Sequence, residues 1–208
     1  MAPTREENSR FWGEEYDWSD LGESWTPGEV WRQAILNQAL RPHLESAQRI
    51  LEIGPGGGRW TTELIASKPS ELHLVDLTRT ALDLCSERFG ELPGLQLHQN
   101  DGATLPFLDD DSIDLLWSFD VFVHIEKPEV ASYFAEFARV LRPGAKGIVH
   151  YATIDRAQCK DPREGWRADF RSTDLVEILE ANGLEALEDL YDPHISHTNS
   201  SIAVFRRP

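Results

Sequence analysis

Two hydrophobic periods alternate along most of this chain. Short runs of strand length recur at "QRILEI" (48–53), "ELHLVD" (71–76), "LQLHQN" (95–100), "SIDLLWSF" (112–119) and "AKGIVHYATI" (145–154). Between them lie segments with the helical period. "RWTTELIAS" (59–67) predicts a short helix, and "RTALDLCSERF" (79–89) a longer one with Leu82, Cys85 and Phe89 on one side. The clearest helix is "PEVASYFAEFARVLR" (128–142), where Val130, Tyr133, Phe134, Phe137, Val140 and Leu141 follow the i, i+3, i+4, i+7 pattern. Pro128 suits its first turn, and Pro143-Gly144 supply a stop. "STDLVEILEANG" (172–183) predicts a last helix with Leu175, Ile178 and Leu179 inward and Gly183 at its end. Strands near 184–191 and 198–206 have no helix between them, so they are expected to pair as an antiparallel hairpin. This alternation implies an α/β, doubly wound, Rossmann-like fold: a mainly parallel sheet with helices on both faces.

The first 45 residues read differently. Thr26, Pro27 and Glu29 carry the signature of a capped helix start, which predicts a helix from there to about Leu40. Upstream, "RFWGEEYDWSDLGESW" concentrates Phe11, Trp12, Tyr16, Trp18 and Trp25, and four of the chain's seven tryptophans precede residue 32. Residues 1–45 are thus an aromatic-rich helical cap or lid segment ahead of a domain at 46–208. Its rings either close one side of a small core or cover a pocket.

Composition narrows the function classes. With 208 residues, 40% hydrophobic and 27% charged, the chain has the makeup of one soluble domain. It has no apolar run of membrane-spanning length and no signal-peptide core after Met1, so a cytoplasmic location is expected. Cys85 and Cys159 are the only cysteines, which points to neither a disulfide framework nor a zinc site. A net charge of −16 disfavours nonspecific nucleic-acid binding, which depends on neutralising phosphates.

"ILEIGPGGGRW" (50–60) holds four glycines within five positions, between a strand and a helix. Such a turn lets a ligand approach the backbone at a helix start. A dinucleotide fingerprint starting at Gly54 needs glycine at 59, where this chain has Arg59. The spacing is instead E-x-G-x-G-x-G, with Glu52, Gly54, Gly56 and Gly58. Asp76 closes the second strand, 22 residues after Gly54, where a carboxylate can accept from a ribose diol. Asp101 follows the third strand, placed to accept from an exocyclic amine, with the Gly102 and Ala103 backbone beside it.

With these elements in order, the chain resembles the class I S-adenosylmethionine-dependent methyltransferases, from about Arg49 to Phe205. "LEIGPGGG", "HLVD", "NDGATLPFLDDDSIDLLWSFDVFVHI" and "LRPGAKGIVH" carry the resemblance. It implies a seven-stranded sheet with an antiparallel last strand, and S-adenosylmethionine as cofactor. It also implies that Glu52, Gly54, Gly56 and Gly58 meet the methionine part. Asp76 and Leu77 would then meet the ribose, and Asp101, Gly102 and Ala103 the adenine, with Ser118 and Phe119 lining the pocket.

The acceptor is less legible. Methyl transfer needs alignment above all, and a hydroxyl acceptor also needs a base or a metal. His124, after the fourth strand, is the first base candidate, and His150 and Tyr151 at the fifth strand are candidates to position the acceptor. "CKDPREGWRADFR" (159–171) spaces Arg163, Arg167 and Arg171 four apart, so a helix would stack them beside Trp166 as an acceptor-recognition face, unless they are simply solvated. His194 and His197 in "DPHISHTN" suit a solvated loop better than a ligand site, and "DDD" at 109–111 a surface turn; no metal site is expected. The expected activity is methylation of a small molecule, at the oxygen of a sugar or glycan first, with nitrogen as the alternative. A non-catalytic module that binds S-adenosylmethionine and a nicotinamide-dependent oxidoreductase are the competing classes.

Overall fold

The structure is a computed structural model describing residues 3–154, 167–190 and 199–208. Seven strands, β1 (Arg49–Ile53), β2 (Glu71–Asp76), β3 (Leu95–Gln99), β4 (Ile113–Phe122), β5 (Leu141–Ala152), β6 (Glu185–Leu190) and β7 (Ser200–Arg206), form one sheet in the order β3-β2-β1-β4-β5-β7-β6. β1 to β5 pair in parallel. β7 runs antiparallel to both β5 and β6, so the terminal hairpin is as expected and its second strand is inserted between β5 and β6.

Helices cover both faces. On one face lie α2 (Glu29–Ile35), α3 (Thr61–Ala66) and α4 (Arg79–Phe89), packing Ile35, Leu64 and Cys85 on Ile50, Leu74 and Trp117. On the other, α5 (Lys127–Val140) and α6 (Ser172–Ala181) pack Phe134, Phe137, Leu175 and Leu179 on Leu51, Leu116, Val149 and Phe205. The strands split residue by residue between the two layers, which is why their sequences read as near-continuous apolar runs. Among the described residues no helix is long and apolar enough to cross a membrane.

Three local expectations need correction. The helix after Thr26 begins at Glu29 with Gly28 at its cap position and no side-chain cap, then continues through a wide turn at Leu36–Leu40. Thr26 is used by the preceding turn, where its N–H donates to the Glu23 carbonyl. α5 ends at Val140, ahead of Pro143-Gly144, because Leu141 already pairs with Ile113 as β5 begins. Arg167 and Arg171 do not stack on a helix. The Ala168 N–H bonds the Val123 carbonyl at 2.8 Å and the Phe170 carbonyl accepts from Ile154 at 2.9 Å, so the backbone there is tied to neighbouring segments. Arg163, Trp166, Cys159, His194 and His197 lie outside the described residues.

Upstream of α2 the chain forms α1 (Arg5–Arg10), capped by a reciprocal Thr4–Glu7 pair, and a series of short helical turns to Trp25. These turns pass over the C-terminal ends of β1, β2 and β4.

Candidate functional site

Strand order reverses between β1 and β4, and their C-terminal ends open the crevice where such sheets take ligands. A cavity of about 240 Å³ lies there. Its floor is the turn after β1. Gly54 holds φ +69°, its N–H donates to the Val75 carbonyl at 2.7 Å, and a Cβ would sit 2.2 Å from Val121 Cγ2. Gly56 holds φ +54°, and a Cβ there would come within 2.9 Å of the Trp18 ring. Both line the cavity, as does Gly57, which the motif spacing passed over. Gly58 faces Phe89 of α4 and is not among the lining residues.

Two carboxylates, Glu52 and Asp76, flank this turn. Glu52 lies beneath it, 1% exposed, accepting from Thr61 Oγ1 at 2.6 Å. Burial pushes its pKa from 4.5 up to about 8, against the Thr61 bond and with help from Asp76. Asp76, at the end of β2, lines the cavity with Leu77. Its Oδ1 accepts from the Thr78 N–H at 2.8 Å and hydroxyl at 2.9 Å. Burial raises its pKa too, while bonds from Thr78 and from the Gly56 and Leu77 amides pull the other way.

After β3, Gly102 lines the cavity, but Asp101 and Ala103 do not. Asp101 Oδ1 caps its own loop, accepting from the Ala103 and Thr104 amides at 3.0 and 2.8 Å and from the Thr104 hydroxyl at 3.0 Å. Burial alone would raise its pKa, but these bonds and Arg5 hold it below the usual carboxylate range. Tyr133, expected only as core on α5, also lines the cavity and accepts from Asn100 Nδ2 at 2.8 Å.

The end of β4 carries the densest polar cluster. Ser118 is buried and donates to the Ile53 carbonyl at 2.9 Å, tying β4 to β1 rather than facing the cavity. Phe119 is a cavity wall, stacked on His150 at 4.2 Å. Asp120, at φ +60°, pairs with Arg59 at 2.6 Å, and His150 Nδ1 lies 3.0 Å from its other carboxylate oxygen. So His150 reaches the cavity only through Asp120 and Phe119. Tyr151, the next residue along β5, points to the opposite face, where its hydroxyl donates to Asp189 at 3.3 Å beneath α6. Of the three residues expected to serve catalysis, His124 alone lines the cavity; its ring lies 5.7 Å from that of Trp12.

The roof is the N-terminal segment. Trp12, Trp18, Leu21 and Trp25 line the cavity, with Arg5 and Asn8 of α1. Arg5 donates to the Asp101 carbonyl at 3.0 Å and Asn8 Nδ2 to the His124 carbonyl at 3.0 Å. Asn8 Oδ1 and Glu129 Oε2 are buried without a hydrogen bond, and both residues line the cavity. Unpaired buried acceptors beside apolar walls suit a ligand bearing N–H or O–H donors. Asp120 and Arg59 were missed as a pair because 61 residues separate them. Arg59 in place of the third fingerprint glycine was the available signal. Among the described residues, no three metal-ligating side chains cluster.

Residues 50–144 match the family model described as a methyltransferase domain. The phthiotriol/phenolphthiotriol dimycocerosates methyltransferase 1 of Mycobacterium ulcerans (strain Agy99) is 33% identical over 142 residues, 65% of this chain and 48% of that protein. A ribosomal RNA small subunit methyltransferase A of Synechococcus sp. (strain CC9605) is 35% identical over 86 residues, 41% of this chain and 30% of that one. The chain thus spans half or less of the length of these relatives. The N-methyltransferase NodS of Bradyrhizobium japonicum WM9, solved with S-adenosyl-L-homocysteine, shares the fold at a TM-score of 0.68 and 20% identity, over 88% of this chain and 90% of that one. Residues 50–144 thus carry a methyltransferase domain, and the fold is shared with the class I S-adenosylmethionine-dependent methyltransferase superfamily. S-adenosylmethionine is the cofactor of that superfamily. The glycine floor, the cavity-facing Asp76 and the unpaired Asn8 and Glu129 acceptors fit such a cofactor, with an amino-acid tail, a ribose and an adenine.

Proposed function

We propose that this chain transfers a methyl group from S-adenosylmethionine to a small-molecule acceptor, at oxygen in preference to nitrogen. The observation that carries the reading is the roofed cavity at the strand ends, which gathers the glycine floor, Asp76 and His124. Bound there, the cofactor supplies an electrophilic methyl group on a sulfonium. Asp76 holds the ribose hydroxyls with the oxygen that Thr78 leaves to it, and Leu77 packs beside them. The Gly54–Gly56 backbone borders the amino-acid tail. Gly102 meets the adenine, and Asp101 acts through the loop it caps, together with Ala103. Glu52, Gly58 and Ser118 hold the floor from beneath: Glu52 through Thr61, Gly58 through Phe89, Ser118 through the Ile53 carbonyl. His124 faces the acceptor as proton acceptor, which favours a hydroxyl. His150 fixes Asp120 and acts as a positioning residue, and Tyr151 takes no part.

A small acceptor is favoured because Trp12, Trp18 and Trp25 line the cavity on its N-terminal side and narrow it. The ribosomal RNA relatives support a nucleic-acid acceptor, but the net charge of −16 opposes it. Calorimetry with S-adenosylhomocysteine, followed by mass spectrometry on a panel of small alcohols, phenols, amines and an rRNA fragment, tests the reading. Binding of S-adenosylhomocysteine but not NAD, and a gain of one methylene on a small hydroxyl compound, is the expected result. Absence of S-adenosylhomocysteine binding removes the reading. Tight binding with no methylated product supports a non-catalytic module instead. His124→Ala is expected to lower kcat by about 100-fold with S-adenosylhomocysteine affinity kept.

A further inference from the structure

Arg167 differs from the other arginines of the cavity. Ala168 is anchored to the Val123 carbonyl, the residue before His124, and Ala168 and Phe170 are both buried. This places Arg167 in the cavity lining that it shares with the candidate base, far from it along the chain but brought near through that backbone bond. Its Nη1 is shielded from solvent and has no hydrogen-bond partner. Arg59, by comparison, is fully engaged. It pairs with Asp120 at 2.6 Å and lies over the Trp60 ring at 5.1 Å. Asp120 is the carboxylate whose charge acts on Arg167, but one of its oxygens is already committed to Arg59 at 2.6 Å.

A guanidinium stays charged in a protein, and a shielded one without partners is costly. Burial accordingly pulls the Arg167 pKa down, with only partial support from Asp120. An anion brought by a ligand would supply the partner that Nη1 lacks. The planar fork of Arg matches carboxylate or phosphate oxygens.

We propose that Arg167 recognises a carboxylate or phosphate group on the methyl acceptor, making this an enzyme for anionic small molecules. The proposal rests on the methyl-transfer reading of the cavity. A carboxylate also exists on the cofactor, but the floor after β1 borders that tail, whereas Arg167 enters from the segment beyond β5, beside Val123 and His124.

The test uses the full chain, wild type and the Arg167→Gln and Arg167→Lys variants. The probes are phenols and aliphatic alcohols, each prepared as a free carboxylate, a phosphate monoester and a neutral methyl ester. Binding is read by calorimetry and methyl transfer by mass spectrometry. Wild type is expected to bind the anionic members roughly 10-fold or more tightly than their neutral twins. Arg167→Gln should bring that ratio close to one, and Arg167→Lys should keep part of it. S-adenosylhomocysteine affinity should be unchanged in both, and the ligand-free melting temperature of Arg167→Gln unchanged or raised, because an unpaired charge is removed. Equal binding of twins by wild type overturns the proposal, as does a preference retained in Arg167→Gln. A fall in S-adenosylhomocysteine affinity assigns the arginine to the cofactor and overturns it; so does a lowered melting temperature, which assigns it a structural role. If wild type fails to bind S-adenosylhomocysteine, the methyl-transfer reading fails by itself, and the anion preference is still decided by calorimetry.

Discussion

The floor and the roof of the cavity are built by different physical means. In the floor, polar groups are committed to the loops beside them: Glu52 to Thr61, Asp76 to Thr78, Asp101 to Ala103 and Thr104. Positions are fixed by backbone geometry and by these local hydrogen bonds. The roof is held by rings. Trp12 packs edge-on to Phe11 at 4.9 Å, Tyr16 edge-on to Trp18 at 4.7 Å, and Trp18 Nε1 bonds the Trp12 carbonyl at 2.8 Å. Among the described residues, few bonds cross to the floor: Arg5 to Asp101, Asn8 to His124, and Thr80 Oγ1 to the Gly13 carbonyl at 2.8 Å. A floor of this kind presents a fixed set of partners, whereas a roof of rings can part from it at the cost of a few hydrogen bonds. We propose that residues 11–25 act as a lid, the functional form of that difference. Each substitution below loads one side of it.

The largest effect is expected beneath the floor. Glu52 has its pKa raised by burial from 4.5 to about 8, so the folded protein holds a proton that the unfolded chain releases. Its contribution is fully present below pH 4.5 and is lost as pH rises through 8. Over that window the loss is roughly 4 kcal/mol. Glu52→Gln keeps an acceptor for Thr61 and cannot ionise. Its stability by urea denaturation, minus that of wild type, should therefore climb between pH 5 and 8 and level above. The other titrating groups are common to both proteins and cancel. A flat difference would show that Glu52 ionises freely and that the floor is not dry.

Asp76→Ala comes next. Removing the carboxylate from the cavity wall forfeits two charge-assisted bonds to a diol, about 3 kcal/mol or about 100-fold in S-adenosylhomocysteine affinity. Calorimetry should show this while NAD binding stays absent. A loss below about 5-fold would mean that the cofactor is held by the roof.

What the sequence disclosed follows the same division. The strands, the parallel order and the floor were legible because backbone constraints leave residue signatures: glycine where φ is positive, acids at strand ends, a 3.6-residue period on α5. Even there, spacing could not show that a Cβ at Gly58 would meet Phe89 rather than the cavity. The roof had only its composition. Rings can pack in many ways, so Trp12 and Trp18 gave no geometry until the fold placed them. Residues that meet across the sheet were invisible for another reason. Asp120 meets Arg59 and His150 from other strands and loops, and Arg167 meets the cavity through the 168–123 backbone bond. Tyr151 and His150 were taken together because they are adjacent, but the two-residue period of a strand sends them to opposite faces.

Gly56→Ala tests the seam between floor and roof. A Cβ there meets the Trp18 ring at 2.9 Å, and φ +54° is strained for alanine, for a cost of about 1–2 kcal/mol. Trp18 belongs to the roof and can retreat, so part of the cost should disappear in Gly56→Ala/Trp18→Ala. Melting temperatures of the two singles and the double form the cycle. Strict additivity would mean that the seam is not packed as described.

The smallest effect is expected within the roof. Trp12 sits edge-on to Phe11 and lies near His124, so Trp12→Ala loses ring contacts and little backbone. S-adenosylhomocysteine affinity should fall by about 3-fold or less, because the ribose and tail partners belong to the floor. Amide exchange in residues 11–25 should quicken, and the slowing that S-adenosylhomocysteine brings to the same amides in wild type should shrink. Acceptor turnover should suffer more than cofactor binding, since the roof faces His124. If cofactor affinity falls as far as in Asp76→Ala, the roof is part of the cofactor's binding wall and the division between floor and roof does not hold.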